Sequence, residues 1–347
     1  MSLAEEIREQ PDVLARMLER ARAIERVAAA VRERDVDHVI IAARGTSDHA
    51  AIYAQYLFGV RLGIPVGLAT PSVFSLYGAE LGFGRALVIG ISQSGASPDI
   101  IGVVAAGRRQ GVPTIAITND PASPLGLAAE HLIDIGAGPE RAIAATKTYT
   151  GELLAMATLV AAWGSGTAAL DADPWLAAVP AGVATALETE DVVASIAAEL
   201  AARDACVVVG RGYEYATARE WALKLKELAQ VVADPYSAAD FRHGPVALVD
   251  AGFPVLALAP SGRAAADLEA LLRRLRDELG ADTVVVSDRD DLLALAGRPV
   301  RLVTGLPEHL APIASIVPGQ LYAVHAARAR GLDPDDPRHI AKVTRTS

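Results

Sequence analysis

At 347 residues the chain has room for two domains, or for one unusually large one, at roughly 150 residues per domain, and a small disulfide-stapled scaffold is excluded. Hydrophobic residues make up 52% of the chain and aromatic residues only 5%, so the core must be built from Ala, Val, Leu and Ile, which suits helices packed on a buried parallel sheet. A formal net charge of -10, with no Lys/Arg cluster interleaved with aromatics, supplies no basic field to gather nucleic acid or an anionic membrane surface.

Residues 12–34 place Val13, Leu14, Met17, Leu18, Ala21 and Ile24 at helical spacing with charges between them, which predicts one amphipathic leading helix. The β-branched run Val39-Ile40-Ile41 predicts a strand, followed by Arg44-Gly45-Thr46-Ser47 and a helix over about 48–59. Further apolar runs at 86–91, 114–117 and 132–135 alternate with helical segments. Strand, turn and helix in regular succession predict a doubly wound parallel sheet of the flavodoxin-like kind. The most apolar helical stretch, 153–163, is too short to span a bilayer, and the charged start is no leader, so a cytoplasmic protein is expected. The one cysteine, Cys206, lies in an apolar run, reads as a small core residue, and leaves no multi-thiolate metal site.

An internal repeat organises the chain. A constant offset of 167 residues carries Asp37 onto Asp204, Val39-Ile40-Ile41 onto Cys206-Val207-Val208, Arg44-Gly45 onto Arg211-Gly212, and Ser94-Gly95 onto Ser261-Gly262. Two tandem α/β subdomains are therefore expected, at 35–165 and 175–325, with a helical segment at 1–34 and a tail at 326–347. Their junction falls in the Gly-, Ala- and Asp-rich stretch 164–174.

Two turns carry a density of hydroxyls, Gly45-Thr46-Ser47 and Ser92-Gln93-Ser94-Gly95-Ala96-Ser97, each between a predicted strand and a predicted helix. At the carboxyl end of a parallel sheet, helix N-terminal N–H groups joined by hydroxyls suit a phosphate dianion. Helix capping is the plainer reading of either turn, but capping needs only one such group. No Walker A or G-x-G-x-x-G pattern accompanies them, and no organic cofactor or metal is implied. Residues 138–147, including Glu140, Ile143 and Lys147, read either as a helix N-terminus with Glu140 near the dipole or as a lid over a polar ligand. Lys224 and Glu227 lie three apart on one helix face, where a solvated ion pair is the ordinary reading. His243 precedes a helix-breaking Gly-Pro, which places it on a loop. The tail after Asp333-Pro334-Asp335-Asp336-Pro337-Arg338 carries His339, Ile340, Ala341 and Lys342, and such a tail commonly frays.

Taken together, Arg44-Gly45-Thr46-Ser47, Ser92-Gln93-Ser94-Gly95, the 138–147 segment, Ala222-Leu223-Lys224-Leu225-Lys226-Glu227, His243-Gly244-Pro245, Ser315-Ile316-Val317-Pro318 and the 337–342 segment resemble the double sugar-isomerase-domain (SIS) family, specifically the isomerase half of glucosamine-6-phosphate synthase and the stand-alone glucosamine-6-phosphate deaminases. The resemblance runs from Glu6 to Lys342. It implies that Thr46, Ser92, Ser94 and Ser97 hold the phosphate with Ser47 and Gln93 nearby, and that Gly45, Ile143 and Ala341 make further substrate contacts. It implies Glu227 as the base that moves a proton between C1 and C2, His243 as the ring opener, Lys342 as a Schiff-base or charge-stabilising amine, and Lys224 as its support. Three departures stand out: Arg44 occupies the position usually held by cysteine in the synthases, Ala145 replaces a serine, and Gly319 replaces a bulkier residue.

With Met1-Ser2-Leu3 at its start, the chain is expected to lack the glutaminase domain of the synthases. The resemblance then implies interconversion of glucosamine 6-phosphate with fructose 6-phosphate and ammonia. A deglycase for another 6-phospho amino-sugar adduct, an isomerase subunit fed by a separate glutaminase, and a sugar-phosphate sensor are the alternatives. It also implies a homodimer whose sites draw His243 from the neighbouring chain, with no nucleic-acid or membrane partner.

Overall fold

The computed structural model describes residues 2–342; Met1 and the last five residues of the expected 326–347 tail lie outside the described residues. The chain forms two compact units. Among the described residues, the N-terminal unit comprises Asp12–Glu140, Lys147–Ala177, Ala341 and Lys342; the C-terminal unit comprises Ser2–Pro11, Arg141–Thr146 and Ala178–Ile340.

In the N-terminal unit, β1 (His38–Ala42), β2 (Val66–Leu68), β3 (Ala86–Ile91), β4 (Thr114–Thr118) and β5 (His131–Asp134) form one parallel sheet in the order β2-β1-β3-β4-β5. All six residues of β3 are buried. Since successive strand residues face opposite sides, the sheet is covered on both faces, which is why its strands read as unbroken apolar runs. Val103 and Val104 of the helix Pro98–Arg109 join Ala86, Val88 and Ala116 in one core cluster. The helix Lys147–Ser165 is buried from Lys147 through Trp163, packing on the helices Ala21–Arg32 and Thr46–Leu62. From Leu153 to Trp163 it is apolar on nearly every side, as a helix enclosed in the core must be.

The leading segment differs from the single helix expected over 12–34. It consists of Gln10–Glu19 and Ala21–Arg32, with a further helix Leu3–Arg8 ahead of them. The break is at Arg20, where φ -102° and ψ 10° leave the helical region and the guanidinium donates to the carbonyl of Ile135 at 3.2 Å. Both helices bury apolar residues in phase, so periodicity does not register the break. The helix Leu3–Arg8 does have a local signal, a capping box in which the Ser2 hydroxyl accepts from the Glu5 N–H and the Glu5 carboxylate accepts from the Ser2 N–H.

The C-terminal unit repeats the plan with β6 (Ala205–Gly210), β7 (Val232–Ser237), β8 (Pro254–Leu258), β9 (Asp282–Ser287) and β10 (Arg298–Arg301), all parallel, in the order β10-β9-β8-β6-β7. Read from β7, this is the order of the first sheet. Leu268, Leu271, Leu272 and Leu275 of the helix Ala265–Asp277 pack on Val207, Val209 and Val255. In the buried helix Ala311–Ala329, a side chain at Gly319 would fall 2.7 Å from the indole of Trp221. That departure from the family pattern therefore has a packing cause.

Candidate active site

In both sheets the chain leaves the first strand toward one neighbour and returns on the other side, so β1/β3 and β6/β8 flank the topological switch points where ligands bind doubly wound sheets. The two hydroxyl-rich turns of the N-terminal unit sit at the carboxyl ends of the paired strands β1 and β3. Gly45 caps the helix Thr46–Leu62 with φ +55°. Gly95 has φ +59°, and a β-carbon there would lie 2.0 Å from the Ser123 hydroxyl, so both the backbone conformation and the space demand glycine. Ser92 Oγ accepts from the Gly95 N–H at 3.2 Å and Ser94 Oγ from the Ala96 N–H at 3.3 Å, which fixes the turn. The Thr118 hydroxyl donates to the carbonyl of Gln93 at 3.2 Å. Ser97 is the N-cap residue of the helix Pro98–Arg109, yet its side chain makes no capping bond. Ser47 is buried and its hydroxyl donates to Glu152 at 2.8 Å, so it braces the turn from the core side. Arg44 Nε donates to Asp99 Oδ2 at 2.9 Å, linking the end of β1 to the first turn of the helix after β3.

The corresponding turn of the C-terminal unit is filled by the protein itself. There the Glu308 carboxylate accepts the N–H groups of Arg263 at 2.9 Å and Ala264 at 3.2 Å, and a β-carbon at Gly262 would collide with it. Glu214 stands at the offset position of Ser47 and is fully buried, with neither carboxyl oxygen satisfied by a hydrogen bond. Burial pushes its pKa up to about 7, and the nearby charge of Glu308 adds to the rise. A carboxyl that keeps its proton in the fold but loses it near pH 4.5 when unfolded makes stability fall as pH rises between those values. Glu214→Gln should abolish that part of the slope and add about 3 kcal/mol at pH 8 relative to wild type. Melting curves from pH 5 to 8 check it; parallel curves for the two proteins would remove Glu214 as the source.

Lys224 is the last residue of the helix Glu214–Lys224, which continues as a π-helical turn, Leu225–Ala229, ended by Gln230 at φ +55°. The solvated ion pair read from the sequence is corrected here: Lys224 is fully buried, its Nζ 2.6 Å from Glu227 Oε2 and 3.3 Å from Glu220 Oε1. Burial pulls the pKa of Lys224 down, but the two carboxylates outweigh it and hold it above the ordinary lysine value. Glu220 is absent from the sequence-derived set, although its i,i+4 spacing to Lys224 is a readable signal. The side chain of Glu227 is 23% exposed and lines a cavity of about 500 Å³ with Lys226, Gln230, Arg338, His339 and Ile340. His243 is exposed at the C-terminal end of the short helix Ala238–Arg242, its N–H donating to the carbonyl of Asp240 at 3.0 Å.

The expected fraying tail is held at Lys342, whose Nζ lies 2.8 Å from Glu140 Oε2 in the N-terminal unit. Glu140 is buried and accepts from the N–H of Thr148 at 3.1 Å and from its hydroxyl at 2.8 Å, at the start of the helix Lys147–Ser165. A carboxylate is favoured at such a helix N-terminus. Lys147 Nζ donates to the carbonyl of Pro139 at 2.8 Å. Ala341 is exposed. Ile143 is half-buried in the C-terminal unit, on a segment held by the buried Glu6, whose carboxylate accepts the N–H groups of Arg141 at 2.5 Å and Ala142 at 3.2 Å. Among the described residues no cluster of three or more His, Cys, Asp or Glu could hold a metal ion, and no helix is long and apolar enough to cross a membrane.

A family model described as the SIS domain matches residues 34–162 and 199–329, one in each repeat. The chain belongs to the SIS domain family. It is 35% identical over 316 residues to the isomerizing glutamine–fructose-6-phosphate aminotransferase of Methanothermobacter thermautotrophicus, a match covering 89% of this chain and 51% of that protein. The chain spans about half the length of the curated relatives it matches. A proposed phosphosugar isomerase of Silicibacter pomeroyi DSS-3 is 36% identical, with a TM-score of 0.83 over 96% of this chain and 100% of that one. The C-terminal domain of glucosamine-fructose-6-phosphate aminotransferase from Francisella tularensis is 25% identical, with a TM-score of 0.86 over 96% and 97% of the two chains. The SIS chain is thus homologous to the isomerase domain of these aminotransferases.

Proposed function

We propose that the chain is an amino-sugar-phosphate aldose–ketose isomerase and deaminase that interconverts glucosamine 6-phosphate and water with fructose 6-phosphate and ammonia. The observation that carries this reading is the contrast between the two switch-point turns. One is built of hydroxyls around a glycine of positive φ, while the other is closed by the protein's own Glu308. In this reading residues 92–97 and Thr46 take the phosphate, Gln93 and Gly45 lie beside it, and Ser47 works through Glu152. His243 opens the ring. Glu227 takes the proton from C2 and returns it to C1, after which water hydrolyses the C2 imine to a ketone and ammonia. Lys224 fixes the Glu227 carboxylate, and Lys342, delivered by its pairing with Glu140, serves as amine or cation beside the carbonyl, with Ala341 and Ile143 completing the contacts.

Ammonia release from a panel of 6-phospho amino sugars and fructosamine 6-phosphates tests the proposal. Release from glucosamine 6-phosphate is expected; tight hexose 6-phosphate binding with no turnover of any member would overturn it in favour of a sensor. A second reading, an isomerase portion that receives ammonia from a separate glutaminase, is favoured by the half-length match to the aminotransferases. It predicts net glucosamine 6-phosphate formation only when a glutaminase is supplied.

Ser94→Ala and Ser97→Ala should each weaken phosphate-ester binding by about 1–3 kcal/mol, the weight of a hydrogen bond to a charged group, and leave the unphosphorylated sugar unaffected. Equal losses for both ligands in calorimetry would reduce the turn to a helix cap. The exposure of His243 is compatible with service to a neighbouring copy. If sites are shared in a two-fold dimer, mixing His243→Ala with Glu227→Gln subunits should restore about a quarter of wild-type activity, since half the dimers are mixed and each has one intact site of two. No rescue after subunit exchange verified by mass would place His243 elsewhere.

A further inference from the structure

Arg44 is the one feature of the hydroxyl turns that neither helix capping nor the proton transfer uses. It lies two residues beyond the end of β1 and one before Gly45, and its Nε is fixed by Asp99, whose side chain is 1% exposed in the first turn of the helix Pro98–Arg109. The Arg44 side chain is itself 50% exposed. With Nε engaged on the carboxylate, Nη1 and Nη2 have no hydrogen-bond partner among the described residues.

The electrostatics of the turn require such a group. Hydroxyls and backbone N–H groups contribute dipoles but no formal charge, and Asp99 places a negative charge at the helix N-terminus where the phosphate would sit. A dianion brought beside an uncompensated buried carboxylate is repelled, and with a net charge of -10 the chain as a whole offers no relief. A guanidinium held through Nε by a buried carboxylate cancels that charge and presents its two remaining nitrogens in the planar fork that matches phosphate oxygens.

We propose that Arg44, oriented by Asp99, is the cationic ligand of the substrate's phosphate group and makes this site selective for phosphate monoesters. The proposal rests on the phosphosugar reading of the hydroxyl turns and adds to it a charged fork donor that those turns lack. Asp99 is the positioning residue, and the whole device spans the two strands of the switch point.

The test uses two unreactive probes, glucitol 6-phosphate and inorganic phosphate, titrated calorimetrically into the full chain and into Arg44→Ala, Arg44→Gln and Arg44→Lys. Arg44→Ala and Arg44→Gln should weaken both probes about 10- to 100-fold, the range of a charge-assisted hydrogen bond. Arg44→Lys should recover only part of the loss, because an ammonium keeps the charge without the fork. Should Arg44→Ala misfold, Arg44→Gln retains a donor for Asp99 and carries the measurement. Unchanged affinity in both neutral variants overturns the proposal. So does wild-type affinity in the Arg44→Ala/Asp99→Asn double variant, which would reduce Arg44 to a neutraliser of Asp99. If wild type binds neither probe, or if Ser94→Ala binds both as tightly as wild type, the phosphosugar reading itself fails; if Ser94→Ala weakens binding and the Arg44 variants do not, only the inference about Arg44 fails.

Discussion

Glu227→Gln should lower turnover by roughly 10²–10⁴, the usual weight of a positioned general base, while leaving the fold and sugar-phosphate affinity nearly intact. The substitution keeps the volume of the side chain and an acceptor for the Lys224 ammonium, 2.6 Å away in the wild type, but removes the group that accepts a proton. Lys224 also retains Glu220 at 3.3 Å, so its charge is not stranded in the core. The decisive readout is exchange of the C2 proton with solvent deuterium, which isolates the proton transfer from imine hydrolysis and product release. Exchange at the wild-type rate in the variant would remove Glu227 from the mechanism.

A larger effect on stability is expected from Lys224→Met. Glu220 is fully buried, and the substitution takes away the cation facing it while Glu227 can still turn to solvent. Removing one partner of a buried ion pair costs about 3–5 kcal/mol, mainly because the remaining charge stays desolvated. Denaturant unfolding of Lys224→Met should show that loss, and Lys224→Met/Glu220→Gln should regain most of it, since an amide tolerates the site without a counter-ion. A single variant within 1 kcal/mol of wild type, or a double variant no better than the single, would mean that the buried pair is not what holds this end of the helix. Activity is expected to disappear in both, because Glu227 loses the contact that fixes its carboxylate.

Local signals sufficed for much of the architecture. The runs at 39–41, 86–91 and 114–117 became β1, β3 and β4, and the constant 167-residue offset reappears as two sheets of identical strand order. Strand propensity, apolar runs and turn glycines are written within a window of about ten residues, so they survive translation into structure. Where tertiary contacts matter, the local pattern was insufficient: the leading helix is interrupted at Arg20, whose guanidinium contacts the carbonyl of Ile135, and the apolar periodicity runs through the break in phase.

The character of the candidate site lay almost wholly in such distant contacts. Spacing put Lys224 and Glu227 on one helix face, but only packing could bury Lys224 between two carboxylates and so turn a surface pair into an internal one. Glu308 reaches the turn after β8 from 45 residues away, and Lys342 reaches Glu140 across 202. The sequence by itself determined that there would be two doubly wound sheets, the first with hydroxyl-rich turns suited to an anion. The tertiary structure decided that one turn is closed by a carboxylate and the other carries a guanidinium, because desolvation and charge pairing depend on which side chains the fold brings within a few ångströms, and that distance has no counterpart along the chain.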